Sequence, residues 1–149
     1  MFIPDRMKNS FEIPFNLLKI ENEGYHLQIQ ANINDFNCSL LIDTGASKTV
    51  IDLNFFNHYI SDFLPVQEDR LSVGLGTDSM ITHSATIENL KIGELILTNF
   101  QTTLLDLSHV NASYCKLNLP EIAGVLGGDL LMQHQAVINY YDQKLTLNY

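Results

Sequence analysis

Between Tyr25 and Ile33 every second side chain is apolar: Leu27, Ile29, Ala31 and Ile33 alternate with His26, Gln28, Gln30 and Asn32. A two-residue period fits an extended strand with one buried face, because a helix would scatter those residues around its circumference. Asn34-Asp35 supplies a turn, and Cys38-Ser39-Leu40-Leu41-Ile42 follows as a short apolar run suited to a buried strand. Ile13 to Leu18, Leu71-Ser72-Val73, Met80 to Ile87, Leu95-Ile96-Leu97 and Phe100 to Leu107 read as further strands. Gly74-Leu75-Gly76-Thr77-Asp78-Ser79 is the turn-rich tip of a hairpin, and Thr98-Asn99 separates two strands. Val137 to Tyr141 and Leu145 to Tyr149 flank Asp142-Gln143-Lys144 as a closing hairpin. Helical spacing is confined to Leu53, Phe56 and Ile60, with Asp52 as cap, and to a short stretch from Asp129 to His134. Ser108 to Glu121 is the least regular part and is expected to be a long surface loop. Many short strands, little helix and no internal repeat predict an all-β barrel or sandwich.

A chain of 149 residues suits one domain, 1–149, able to bury a core without staples. With 46% hydrophobic and 17% charged residues it is not a disordered chain. Eight Lys and Arg, scattered from Arg6 to Lys144, face 17 Asp and Glu, for a net charge of −9. Phosphate backbones and anionic lipid surfaces need a basic stripe, so no nucleic acid and no membrane is expected as partner. No apolar stretch is long enough to span a bilayer, and charges arrive at Asp5 and Arg6 before any leader-like run. Cytoplasmic localisation is expected, with Cys38 and Cys115 as free thiols. On that footing the sequons at Asn37 and Asn111 are chance matches. The five histidines show no metal-ligand spacing, Gly74-Leu75-Gly76 lacks the third glycine of a dinucleotide fingerprint, and no Walker sequence occurs. No metal and no cofactor is expected.

Asp43 stands out chemically. An ionisable acid follows directly on Leu40-Leu41-Ile42, with Thr44 and Gly45 behind it. Such a tripeptide sets a carboxylate at the end of a buried strand on a sharp turn, where Gly45 lets a backbone or ligand approach closely. The plain alternative is an ordinary Asx turn. Downstream stands Ile122-Ala123-Gly124-Val125-Leu126-Gly127-Gly128-Asp129, an apolar segment running into glycines and a short helix. Asp129 reads as a helix cap and not as a second catalytic acid.

Asp43-Thr44-Gly45-Ala46-Ser47, the Gly-rich hairpin, Val125-Leu126-Gly127 and the closing hairpin, in that order, resemble the retropepsin-like aspartic proteases. The resemblance runs over most of the chain. It implies a closed all-β barrel of that type with one or two short helices, and an active site shared by two chains. Aspartic protease chemistry needs two carboxylates sharing one proton, since like charges about 3 Å apart cannot both ionise. One Asp-Thr-Gly and no Asp-Ser-Gly is present, so a homodimer is expected to bring two copies of Asp43 together. By resemblance, Thr44 and Gly45 support the active-site loop, and Gly45, Ala46, Gly76 and Thr77 contact a peptide or protein substrate. Val125-Leu126-Gly127 packs beneath the loop. Viral members carry an acid where Ser47 stands and an Arg where Gly128 stands; both are absent here, and so is any basis for viral specificity. The expected activity is that of an aspartic endopeptidase. The alternatives are a non-catalytic domain of the same fold that binds peptide or dimerises, and a small-molecule barrel with a fortuitous Asp-Thr-Gly.

Overall fold

The alternating segment forms strand β3 (Tyr25–Ile33) in a computed structural model that describes residues 9–60, 66–71 and 81–149. Leu27, Ile29, Ala31 and Ile33 are buried along it, as the period requires. Before it stand β1 (Ser10–Pro14) and β2 (Asn16–Lys19). Asn34 and Asp35 both take positive φ, the backbone of a tight hairpin turn, and return the chain as β4 (Phe36–Ile42). β5 (Val50–Asp52) runs into α1 (Leu53–Phe55) and a π-helical turn over Phe56–Ile60. Asp52 caps this segment, its side chain accepting from the Asn54 amide.

β6 (Val66–Leu71) and β7 (Ile81–Ile92) pair antiparallel, so of the expected hairpin Leu71 and the strand from Ile81 onward are present, while Ser72, Val73, the tip Gly74–Ser79 and Met80 lie outside the described residues. β8 (Leu95–Leu105), α2 (Ser108–Lys116), β9 (Gly124–Leu126), α3 (Gly128–Gln133), β10 (Val137–Asn139) and β11 (Lys144–Asn148) complete the order. The main sheet runs β2-β3-β4-β9-β5-β8-β7-β6, and β3 also pairs with β7 through Asn32↔Lys91 and Ile33↔Leu90. That extra pairing closes the six strands β3, β4, β9, β5, β8 and β7 into a barrel. A second sheet, β1-β11-β10, joins the two ends of the same chain.

Three expectations are corrected. Ile13 to Leu18 is not one strand, for it divides at Phe15 between β1 and β2, which belong to different sheets. Thr98-Asn99 does not split two strands: β8 runs through it, because Asn99 absorbs the irregularity at φ 50° while pairing continues on both sides. Ser108–Glu121 is not a loop, for its first nine residues are helix α2. The carboxylate of Asp106 accepts from the Ser108 amide at 2.9 Å and from its hydroxyl, which together with Asn54 holds its pKa below the usual carboxylate range. Val110 and Tyr114 then fall on one face of the helix and meet Leu18, Leu41, Val50, Leu105, Leu107 and Ile122.

This helix explains the unbroken apolar run of β4. Leu40 and Ile42 point into the barrel core with Ile29, Ile51, Leu104 and Leu126, while Leu41 points outward into the cluster beneath α2. A strand covered on both faces must be apolar at every position. Val50 and Ile51 divide the same way between the two clusters. Cys38 and Cys115 are free, and burial pushes the Cys38 thiol up to about 12. Cys38 is therefore held as the thiol, whereas the thiolate is the form that reacts. Iodoacetamide is expected to label the exposed Cys115 first, read by mass spectrometry at early times; equal rates at both sites would contradict this burial.

Candidate active site

The buried strand β4 ends at Ile42, and the chain surfaces at once into an exposed turn, Asp43-Thr44-Gly45. The Asp43 amide donates to the carbonyl of Leu126 at 3.0 Å, which extends the β4–β9 ladder by one rung and fixes where the turn begins. The Gly45 amide donates to Asp43 Oδ1 at 2.9 Å, and the Ala46 amide to the Asp43 carbonyl at 3.2 Å. The carboxylate is thus oriented by its own loop yet open to solvent. A Cβ on Gly45 would stand 3.2 Å from Asp43 Oδ1, so the glycine leaves room beside that oxygen. Thr44 is exposed and makes no hydrogen bond among the described residues.

The segment after β9 braces the loop from below. The Gly128 amide donates to the Ala46 carbonyl at 2.7 Å, and the Asp129 amide to the Ser47 carbonyl at 3.1 Å. Thr49 is 1% exposed and lies at the centre of this brace. Its amide and its hydroxyl each donate to Asp129 Oδ1 at 2.8 Å, and its hydroxyl accepts from the Gly127 amide at 3.0 Å. A buried hydroxyl that both donates and accepts has one orientation, which fixes Ala46 to Thr49 against β9 and α3. Gly127 comes so near that a Cβ there would stand 2.5 Å from the carbonyl carbon and oxygen of Lys48. Ser47 and Gly128 are neighbours, since a Cβ on Gly128 would lie 3.7 Å from the Ser47 carbonyl.

Asp43, Thr44, Gly45 and Ala46 are therefore together on one loop, while Gly76 and Thr77 lie outside the described residues. Val125-Leu126-Gly127 does run beneath that loop. Asp129 is not the cap, because Gly127 occupies the cap position; Asp129 accepts instead from Leu130 in the first turn and from Thr49 across the loops. Thr49 was missed in the sequence, since its partner stands 80 residues away and no local spacing announces the pair. Among the described residues no three His, Cys, Asp or Glu side chains gather as metal ligands.

A family model described as Aspartyl protease matches residues 29–130. No curated protein matches the chain. Among solved structures, a retropepsin-like aspartic protease from Rickettsia conorii is 20% identical with a TM-score of 0.59, over 95% of this chain and 91% of that one. The EIAV protease complexed with the inhibitor HBY-793 is 20% identical with a TM-score of 0.56, over 81% of this chain and 99% of that one. The retroviral protease-like domain of Ddi1 from Leishmania major is 14% identical with a TM-score of 0.50, over 83% of this chain and 90% of that one. The likeness to these structures is one of fold, the closed barrel with few short helices. With more than half of its length matched by the family model, and with the retropepsin-like barrel around its Asp-Thr-Gly loop, the chain belongs to the aspartyl protease family.

Proposed function

We propose that residues 1–149 act as one domain of a homodimeric aspartic endopeptidase whose active site is assembled from Asp43 of two copies. The observation that carries this reading is the state of Asp43: exposed at the end of a buried strand, aligned by the Gly45 amide, and present once per chain. A lone carboxylate in this setting has no partner for a shared proton, and a two-fold axis through the loop supplies one. One Asp43 then acts as general base on a water. The other, protonated, polarises the scissile carbonyl and returns a proton to the leaving amine. The exposed Thr44 bonds across the axis in this reading. The backbone of Gly45 and Ala46, together with Gly76 and Thr77, contacts a peptide or protein substrate. Two unpaired cysteines suit the reducing cytoplasm, where we place the enzyme.

Incubation with a peptide library between about pH 4 and 7, the range of a shared-proton dyad, tests the reading. Cleavage is expected. Dimer without cleavage would leave the non-catalytic alternative, for which the absence of the viral acid and Arg at Ser47 and Gly128 is the supporting feature. Each chain carries −9, so association brings two such charges together and is opposed at low salt. The dimer is expected to tighten as salt rises, measured by sedimentation; a dimer constant flat from low to high salt would contradict it.

A further inference from the structure

At the opposite end of β4 from Asp43, the start of the strand and the helical turns after β5 enclose a cavity of about 610 Å³. It takes in Phe36 to Ser39, and the four steps along the chain from Ser39 to Asp43 span roughly 13 Å at the rise of a strand. One wall is aromatic. The ring of Tyr59 stands 5.3 Å from Phe36, 4.8 Å from Phe55 and 4.5 Å from His58, centroid to centroid. Phe36 and Tyr59 remain 42% and 46% exposed, so part of each is accessible to a ligand.

The floor is polar and rigid. The Ala123 amide donates to the Ser39 carbonyl at 2.8 Å, and the Asp52 amide to the Ala123 carbonyl at 2.7 Å. Asp52 is 4% exposed and lines the cavity. Its bonds from the Asn54 amide and side chain and from the Leu107 amide all end on Oδ1, and Oδ2 makes none among the described residues. Glu121 lines the cavity as well and is exposed. No Lys or Arg stands among the described lining residues.

Aromatic faces, two carboxylates and a chain of net charge −9 all favour the same kind of ligand, a cation. The wall favours a planar cation, because a guanidinium stacks on rings and pairs with carboxylates in a way an ammonium does not. Gln30, Asn37 and Asn54 are partly engaged within the chain, with Ser39, Asn32 and Asp52, and what they leave for a peptide backbone is Gln30 Oε1, Asn37 Nδ2 and Asn54 Oδ1. We propose that this cavity is a docking site for an arginine side chain of a partner polypeptide, its guanidinium stacked on the Phe36–Tyr59 wall and facing Asp52 and Glu121. The site needs neither Asp43 nor a second copy of the chain, so it stands or falls apart from the protease reading.

The test is an NMR titration of the full chain with the tripeptide Gly-Arg-Gly, its citrulline counterpart and agmatine. Amide shifts are expected at Phe36–Ser39, Asn54–Tyr59 and Glu121–Ala123 with the arginine peptide. The neutral citrulline peptide is expected to bind at least about tenfold more weakly. Tyr59→Ala and Glu121→Gln, both exposed positions, are each expected to weaken the arginine peptide about three- to tenfold. Glu12→Gln, which removes a charge from the surface pair with Lys144, is expected to change nothing. Agmatine binding as tightly as the peptide would overturn the polypeptide as source. Equal binding of the citrulline peptide, equal loss in Glu12→Gln, or shifts centred on Asp43–Ser47 would overturn the site itself.

Discussion

Asp43→Asn is expected to lower peptide hydrolysis by at least about a thousandfold while leaving the fold and its melting temperature unchanged. The amide side chain keeps the shape and an oxygen that accepts from the Gly45 amide, now 2.9 Å from Oδ1. What it removes is the ionisable proton. A pair of asparagines has no base to activate water and no acid to protonate the leaving group, so both halves of the chemistry fail together. Because Asp43 is exposed, no buried network collapses with it. Steady-state cleavage together with thermal unfolding separates the two effects. Retained activity in a folded variant would remove Asp43 from the mechanism.

The second large effect is on the scaffold. Gly124→Ala is expected to destabilise the fold by about 3 kcal/mol or more. Its Cβ would stand 2.3 Å from the Val50 carbonyl oxygen and 3.1 Å from the Ile51 Cα, and backbone atoms inside a sheet do not move aside cheaply. β9 is held on both sides, parallel to β4 and antiparallel to β5, so relief of the clash breaks one ladder or the other. The same movement displaces Leu126, whose carbonyl receives the Asp43 amide, so activity is expected to fall with stability. Urea denaturation measures the first and hydrolysis by the surviving folded fraction the second. A variant as stable as wild type would contradict the close approach of β9 to β5.

Much of this arrangement was legible in the sequence where a signal is local. The period of two over Tyr25–Ile33 gave β3, and the acid after Leu40-Leu41-Ile42 marked the end of a buried strand. The closing hairpin and the short helix before it were equally plain. Helix α2 is hard to see in the sequence, although Leu107, Val110 and Tyr114 stand three and four residues apart, because polar residues between them obscure the stripe. β8 looked divided because Thr98-Asn99 resembles a turn, and pairing with β7 overrides that preference. The Thr49–Asp129 brace and the cavity beside Phe36 depend on residues far apart in the chain. No window of sequence contains them.

The claim on which the account rests is that one active site needs Asp43 from two chains. It is tested most directly by mixing wild-type protein with an equal amount of Asp43→Asn under conditions of free subunit exchange. Random pairing leaves about one quarter of dimers with two intact carboxylates, so activity is expected to fall to about one quarter of that of the same total of wild type. Activity at about one half would mean that each chain works alone, and would contradict the account.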